Sequence, residues 1–241
     1  MKTKAISKGL LFDNVEINPS PNSEFFKDKE ISPEKFNPVT TISESDISNW
    51  LLKTDSVRNL IFDELKISAT AKFETTVQEP FIKDPKSKPG DIDILVCDSK
   101  FPTHSVAFEC KRIKVKPEAF FTDQIGGLGK AKYAVEQVNA LAKNFSFSQI
   151  YLLLIIEVNG KNRTKFNQFC RGTTQMQKER IYKLPLDKGI DSKIGVIFVE
   201  IVQVTNQSFD KNGYVGLSIG RLATKRNQLS ELTEKLHRYF K

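Results

Sequence analysis

Two short segments near the middle of the chain alternate apolar and polar residues. Residues 91–97 and residues 105–111 both follow a period of two, which is typical of β-strands. A proline-containing turn separates the two segments, so we predict that the strands adjoin and pair. In that pairing Asp93, Glu109 and Lys111 meet at one end of a sheet.

The rest of the chain contains segments of both periods. Apolar residues at helical spacing follow the capping residues Ser43 and Ser45, with a break near Thr54, and favour a helix. Residues 149–158 are mostly apolar without alternation, as in a strand covered on both faces. The predicted elements, in chain order, are a helix over 43–65, a strand over 73–82, the two central strands, a helix over 128–143, the strand over 149–158, a helix over 174–184, strands over 194–204 and 214–219, and a helix over 222–240.

This order of elements predicts an α/β protein. Residues 1–42 contain four prolines with several Asn and Ser, and we expect an extended arm with one short strand that begins near Gly9. Residues 43–206 are expected to form the main domain, a mixed central sheet flanked by helices. Residues 207–241 add a C-terminal strand and a basic amphipathic helix. A chain of 241 residues is long enough for one substantial core.

The charge balance is basic. Lys and Arg number 37 against 29 Asp and Glu, a formal net charge of +8 with a pI near 9.2, which favours polyanionic partners. The three cysteines lack Cys-x-x-Cys spacing and the two histidines lie far apart, which argues against a zinc site or a disulfide framework. The longest apolar run, residues 150–156, is too short to span a membrane. We therefore expect a cytoplasmic protein without a membrane partner.

The acids of the two central strands have the character of metal ligands. Asp91 and Asp93 share one face of the first strand, and Glu109 and Lys111 are side-by-side neighbours on the second. Carboxylate oxygens suit Mg²⁺, with Mn²⁺ as a substitute, and Mg²⁺ is usually held by one or two carboxylates plus substrate phosphates. A lysine beside these acids would orient an attacking water and stabilise negative charge that develops on a phosphate. Their apolar surroundings favour this interpretation over a pair of solvated edge strands.

The motif Gly90-Asp91-Ile92-Asp93, followed after a turn by Glu109-Cys110-Lys111, resembles the PD-(D/E)XK nuclease superfamily, which has the restriction-endonuclease-like fold. The predicted order of elements from about 44 to 158 is similar to the αβββαβ core of that superfamily. One departure is that Gly90 separates Pro89 from Asp91, so the Pro-Asp dipeptide is absent. Either Asp91 or Asp93 is then the motif acid, and we favour Asp93 because apolar neighbours place it within the strand.

The resemblance implies further site residues. Many members carry an acidic residue on the first helix that joins the metal site, and Glu64 is the candidate here, with Glu74 and Glu79 as rival acids. The superfamily often carries a Gln or Lys on the helix after the E-x-K motif, which points to Gln137 and then to Lys130. The Gln-x-x-x-Tyr arrangement of RecB-type nucleases is not present.

Basic residues bracket both acidic strands. This is the electrostatic rim expected of a site that holds a metal and receives a phosphodiester backbone. The predicted nucleic-acid-binding residues are Lys86, Lys88, Arg112, Lys114, Lys116 and, on the following helix, Lys130.

Together these observations favour a magnesium-dependent nuclease, most of all a DNA endonuclease of restriction, defence or repair type. Asp93 and Glu109 are the expected metal ligands, with Asp91 and Glu64 as additional ones. Lys111 is expected to assist the attacking water. The alternative is a nucleic-acid-binding protein that retains the nuclease fold without cutting. The amphipathic C-terminal helix packs on its own domain, joins two subunits in a homodimer or lies along a nucleic acid.

Overall fold

The computed structural model describes residues 6–12, 43–98, 100–115, 125, 128–159, 173, 175–203 and 213–241. Seven strands from these residues form one open sheet in the order β1-β7-β6-β5-β4-β3-β2. Strands β4, β5 and β6 run parallel, and every other neighbouring pair is antiparallel. The strands are β1 (Ile6–Phe12), β2 (Lys72–Val77), β3 (Ile92–Cys97), β4 (Ser105–Val115), β5 (Gln149–Asn159), β6 (Gly195–Gln203) and β7 (Gly213–Arg221).

Helices cover both faces of this sheet, which confirms the predicted α/β class. One apolar cluster joins the sheet to α1 and α2, and the other joins it to α3, α4 and α5; these faces are called the α1 face and the α3 face. Among the described residues no helix has the length and apolarity needed to cross a membrane. The helices are α1 (Glu44–Lys53), α2 (Asp55–Leu65), α3 (Leu128–Asn144), α4 (Gln175–Asp187) and α5 (Ser230–Tyr239).

The centre of the sheet is apolar on both sides, as the continuous hydrophobic run of β5 predicts. Residues 151–157 of β5 are all buried, because helices lie over each face. Phe108 of β4 stacks on Tyr151 of β5 with ring centroids 5.6 Å apart. The polar side chains of β4 that point into this core are therefore held in a poorly solvated environment.

The break predicted near Thr54 is confirmed, and it divides α1 from α2. Helix α1 begins with a capping box in which the Ser43 hydroxyl accepts from the Asp46 N–H, while the Asp46 carboxylate accepts from the Ser43 N–H. Such a box satisfies N–H groups that have no partner within the helix. It fixes the start of α1, where Glu44 is the first helical residue.

Strands β2 and β3 depart from simple alternation. Pairing skips from Thr75 opposite Ile94 to Val77 opposite Ile92, and Thr76 between them has φ 56°. Ile94 belongs to the α1 face whereas Ile92 belongs to the α3 face, although the period of two predicts one face for both. In the register of the flanking pairs, Thr76 of β2 lies opposite Asp93 of β3. The irregularity therefore falls at the position of Asp93.

Two predicted boundaries are wrong. The strand predicted to reach residue 82 ends at Val77, where a turn that contains Pro80 begins. The helix predicted from residue 222 begins only at Ser230. Residues 222–229 instead make backbone hydrogen bonds across the fold, for example from the Arg226 N–H to the Ser148 carbonyl at 2.8 Å, and these bonds outweigh helical spacing. Leu232 and Leu236 of α5 pack into the core of the same chain.

Candidate metal and catalytic site

The acidic site begins where β3 leaves β4. The antiparallel pairing of these strands runs from Cys97 opposite Ser105 to Ile94 opposite Phe108. Beyond that point the Cys110 N–H donates to the Asp93 carboxylate at 2.6 Å. A side-chain oxygen thus takes the place of a strand partner, and it anchors Asp93 directly beside the Glu109-Cys110-Lys111 motif.

The next N–H on the same edge of β4 is also bound by a carboxylate. Arg112 donates its backbone N–H to Oε2 of Glu44, and Lys111 Nζ lies 2.8 Å from Oε1 of the same side chain. Cys110 and Arg112 are two residues apart, so their N–H groups point to the same side of the strand. Glu44, at the start of α1, therefore closes the edge of β4 that β3 no longer covers.

Glu109 is the most buried acid of this site, with 2 % of its surface exposed. Burial raises its pKa well above the usual range, and the nearby charge of Asp93 raises it further. Burial also raises the pKa of Asp93 to about 7, against the opposing effect of the Cys110 N–H. Ionising both carboxyls would place two negative charges close together in a poorly solvated environment, which is unfavourable. A bound cation would offset this repulsion.

Lys111 is the positive charge among these acids. Burial alone would lower its pKa, but the carboxylate of Glu44, with further contributions from Glu109 and Asp93, raises the pKa above its ordinary value. Lys111 therefore remains an ammonium at neutral pH. It can stabilise negative charge, but it cannot accept a proton from water.

Asp91 lies in the bend that precedes β3, whereas Asp93 lies within the strand. Burial raises its pKa, the charge of Glu44 raises it further, and Lys111 opposes both effects. Asp93 is the more deeply held of the two acids. The structure thus brings Asp91, Asp93, Glu109 and Lys111 together.

Glu64 is not brought to this site. Its carboxylate forms an ion pair with Lys8 of β1, and it lines a cleft of about 840 Å³ together with Val106 and Gln149, which lie at the start of β4 and β5. The acid on the first helical segment that reaches the site is Glu44, which sequence reasoning missed. Its signal was its position in the first turn after the Ser43 cap. The rival acids Glu74 and Glu79 are both exposed.

Gln137 of α3 lies half-buried on the helix that packs over β4. Its Oε1 atom and the Oε2 atom of Glu109 are both buried, and neither has a hydrogen-bond partner among the described residues. Glu109 shares the α3 face with Ala107 and Ile113 by the alternation of strand residues. Unpartnered buried oxygens are rare in native proteins and call for an explanation such as an ion or water.

The basic residues predicted to form a nucleic-acid-binding rim differ in exposure and in their contacts. Lys86 and Lys130 are exposed. Lys88 pairs with Glu136 at 2.5 Å and lies 4.6 Å from the ring centre of Tyr133. The rim residue Lys116 lies outside the described residues.

Arg112 and Lys114 point away from Lys111, since successive strand residues alternate between faces. The Arg112 side chain is only 12 % exposed and pairs with the buried Glu157 at 3.3 Å. Its guanidinium is therefore directed inward and is not part of an exposed rim. Burial lowers the pKa of Lys114, and the charges of Arg112 and Lys130 lower it further.

The described residues contain no group of three or more His, Cys, Asp and Glu side chains arranged to hold a metal ion. Asp93 and Glu109 nevertheless supply the two carboxylates that Mg²⁺ commonly takes from a protein.

Comparison of the chain with protein-family models, with curated proteins and with solved structures gave no match.

Proposed function

We propose that this protein is a metal-dependent nuclease with a restriction-endonuclease-like core, and that DNA is its substrate. The observation that carries the proposal is the convergence of Asp93, Glu109 and Lys111 where β3 leaves β4, with the raised pKa of both acids. The order of elements from α1 to β5 agrees with the αβββαβ arrangement. The acid–acid–lysine motif and this order were both expected of the PD-(D/E)XK superfamily.

The donor set fits Mg²⁺ or Mn²⁺. Asp93 and Glu109 would hold the ion, with Asp91 as an outer carboxylate, because all these ligands are hard oxygens. The buried Oε2 of Glu109 has no hydrogen-bond partner among the described residues, and a cation would remove its cost of burial. A bound divalent ion would polarise the phosphate and favour ionisation of water.

The remaining roles belong to the side chains. Lys111, kept protonated by its acidic neighbours, stabilises the negative charge that develops on the phosphate as water attacks. Glu44 positions Lys111 through their 2.8 Å contact. Gln137 is the candidate to orient the water or a phosphate oxygen, since its Oε1 has no hydrogen-bond partner in the described part of the chain.

A net charge of +8 supports a nucleic-acid substrate, because phosphate contacts supply most of the non-specific affinity. Lys86, Lys114 and Lys130 are the candidates for such contacts. The buried free thiols of Cys97 and Cys110 agree with a reducing cytoplasm as the site of action.

The test is cleavage of plasmid and linear DNA with Mg²⁺ or Mn²⁺ by the wild type, Asp93→Asn and Lys111→Ala. Glu234→Gln, which removes an exposed acid from α5, is the matched control. We expect cleavage by the wild type and the control only. DNA binding in EDTA without cleavage under any divalent metal would identify the non-catalytic alternative, and equal cleavage by all variants would show that these residues are miscast.

A further inference from the structure

A cationic cleft lies near the C-terminal end of α3, at the edge of the sheet where β5 and β6 begin. Its volume is about 490 Å³, and the charged side chains that line it are Lys143, Lys193 and Arg226 against the single carboxylate of Asp191. None of the acids near Lys111 lines it. The cleft is therefore distinct from the proposed catalytic site and opposite to it in charge.

The walls of the cationic cleft are fixed by hydrogen bonds. The Asn139 amide on α3 donates to the Gly189 carbonyl at 3.1 Å and accepts from the Asp191 N–H at 3.0 Å. Asp191 in turn accepts from the Lys193 N–H at 2.7 Å, and the Lys193 carbonyl accepts from the Thr224 N–H at 2.9 Å. The backbone that carries Lys193 is thus held in place before any ligand arrives.

Among the described residues, the cationic cleft has three positive side chains and one negative side chain, so a net positive charge remains. Nη2 of Arg226 donates to the Ala142 carbonyl at 2.7 Å, whereas its Nη1 is buried and has no acceptor among the described residues. Lys143 and Lys193 are exposed, and neither forms an ion pair with any residue that the structure describes. One anchored guanidinium and two exposed ammonium groups form an incomplete anion site.

We propose that the cationic cleft binds a phosphate group, carried either by the backbone of a nucleic acid or by a free nucleotide. Guanidinium and ammonium groups are the usual protein partners of phosphate, and the volume is within the range of small-ligand sites. Lys143 lies six residues beyond Gln137 on α3, about 9 Å along the helix axis. The cleft and Gln137 thus lie on the same helix, within the length of a short stretch of nucleic acid. That source rests on the proposed nuclease function, whereas a nucleotide would bind without it.

The experiment compares wild-type protein with the double variant Lys143→Ala/Lys193→Ala. The matched control is Lys53→Ala/Lys100→Ala, which removes two exposed charges elsewhere. Affinity for a short labelled DNA duplex is measured by fluorescence anisotropy at several salt concentrations, and affinity for ATP by calorimetry. EDTA is present throughout, so a failure of nuclease activity does not affect the outcome.

If the cleft holds the nucleic-acid backbone, the log-log salt dependence of DNA affinity should fall by about 0.9 for each phosphate that the protein no longer neutralises, close to two units in the double variant. If it holds a nucleotide, ATP affinity should fall about tenfold or more, while the DNA salt dependence is unchanged. Unchanged affinity for both probes in the double variant would overturn the proposal. An equal reduction of affinity in the control double variant would overturn it too, since the effect would then be one of net charge.

Discussion

Two buried glutamates on the same face of the sheet are treated very differently by their surroundings. Glu200 of β6 is 7 % exposed, and it accepts hydrogen bonds from the N–H and hydroxyl of Thr173 and pairs with Lys178 at 3.3 Å. Glu109 of β4 is more deeply buried, and its Oε2 has no hydrogen-bond partner in the described part of the chain. Burial and the nearby charge of Asp93 raise its pKa instead.

This difference separates a structural acid from one that is reserved for a ligand. A buried carboxylate costs free energy unless it is paired and hydrogen-bonded, and the contacts to Thr173 and Lys178 meet that cost for Glu200. Oε2 of Glu109 has no such contact among the described residues, and the nearby charge of Asp93 makes ionisation of Glu109 still less favourable. Removing the charge of Glu200 should therefore lower the free energy of unfolding and leave DNA cleavage unchanged. Removing the charge of Glu109 should leave the stability undiminished and lower DNA cleavage.

The largest expected effect is on activity. Glu109→Gln should lower single-turnover DNA cleavage on the order of a thousandfold, because several kcal/mol of transition-state stabilisation would be lost with the metal ligand. Urea unfolding in EDTA should show no loss of stability, since an unfavourable buried acid is gone. A variant that unfolds more easily than the wild type, or that still cuts at the parental rate, would contradict the assignment of Glu109.

The converse substitution should act on stability. Glu200→Ala should reduce the free energy of unfolding by about 2 to 4 kcal/mol, because Thr173 and Lys178 lose their shared partner. Cleavage per folded molecule should stay at the parental rate. Chemical denaturation gives the first quantity, and single-turnover cleavage below the unfolding transition gives the second. Loss of cleavage in the folded variant would place Glu200 in the chemistry.

The pH dependence of stability should sharpen the comparison. Asp93 has a pKa of about 7 in the folded protein and an ordinary value of 3.8, so the folded state binds more protons between these values. Stability of the metal-free protein should then fall as pH rises from about 4 to 7, on the order of 2 to 4 kcal/mol from this site. Urea titrations should show a smaller fall in the free energy of unfolding for Asp93→Asn than for the wild type. Parallel curves for Asp93→Asn and wild type would be evidence against the raised pKa.

The smallest expected effect concerns the residue that positions Lys111. Glu44→Gln keeps the size of the side chain but weakens the contact with the ammonium, and cleavage should fall about 10- to 100-fold, as for other groups that orient a reactive side chain. The alkaline limb of the pH profile of cleavage should shift to lower pH, because the pKa of Lys111 falls when the charge of Glu44 is removed. Asp55→Asn, an exposed acid on α2, is the control. An unshifted profile would remove Glu44 from this role.

The sequence predicted correctly the site residues that lie close together in the chain. Asp93, Glu109 and Lys111 lie on consecutive strands joined by a short turn, so the period of two was enough to bring them together. Glu44 lies far from them in sequence, and its approach depends on how α1 crosses the sheet, which no local pattern encodes. Glu64 was chosen from the same helical segment, but the segment runs away from the site and carries Glu64 to Lys8.

Other differences arise from contacts that form only in the folded chain. The face switch between Ile92 and Ile94 depends on the irregularity at Thr76 in the neighbouring strand. Arg112 was assigned to a basic rim by its position after Lys111, but the buried Glu157 draws it inward. In both cases the deciding partner is supplied by another strand.

Binding of a divalent metal tests the central claim most directly. Titration calorimetry with Mg²⁺ and with Mn²⁺ should be carried out at pH 8, above the pKa of about 7 of Asp93, on wild type, Asp93→Asn and Glu200→Ala. We predict a binding heat for the wild type and for folded Glu200→Ala, and the loss of that heat in Asp93→Asn. Equal binding by Asp93→Asn, or no binding by the wild type to either metal, would contradict the assignment of Asp93 and Glu109 as metal ligands.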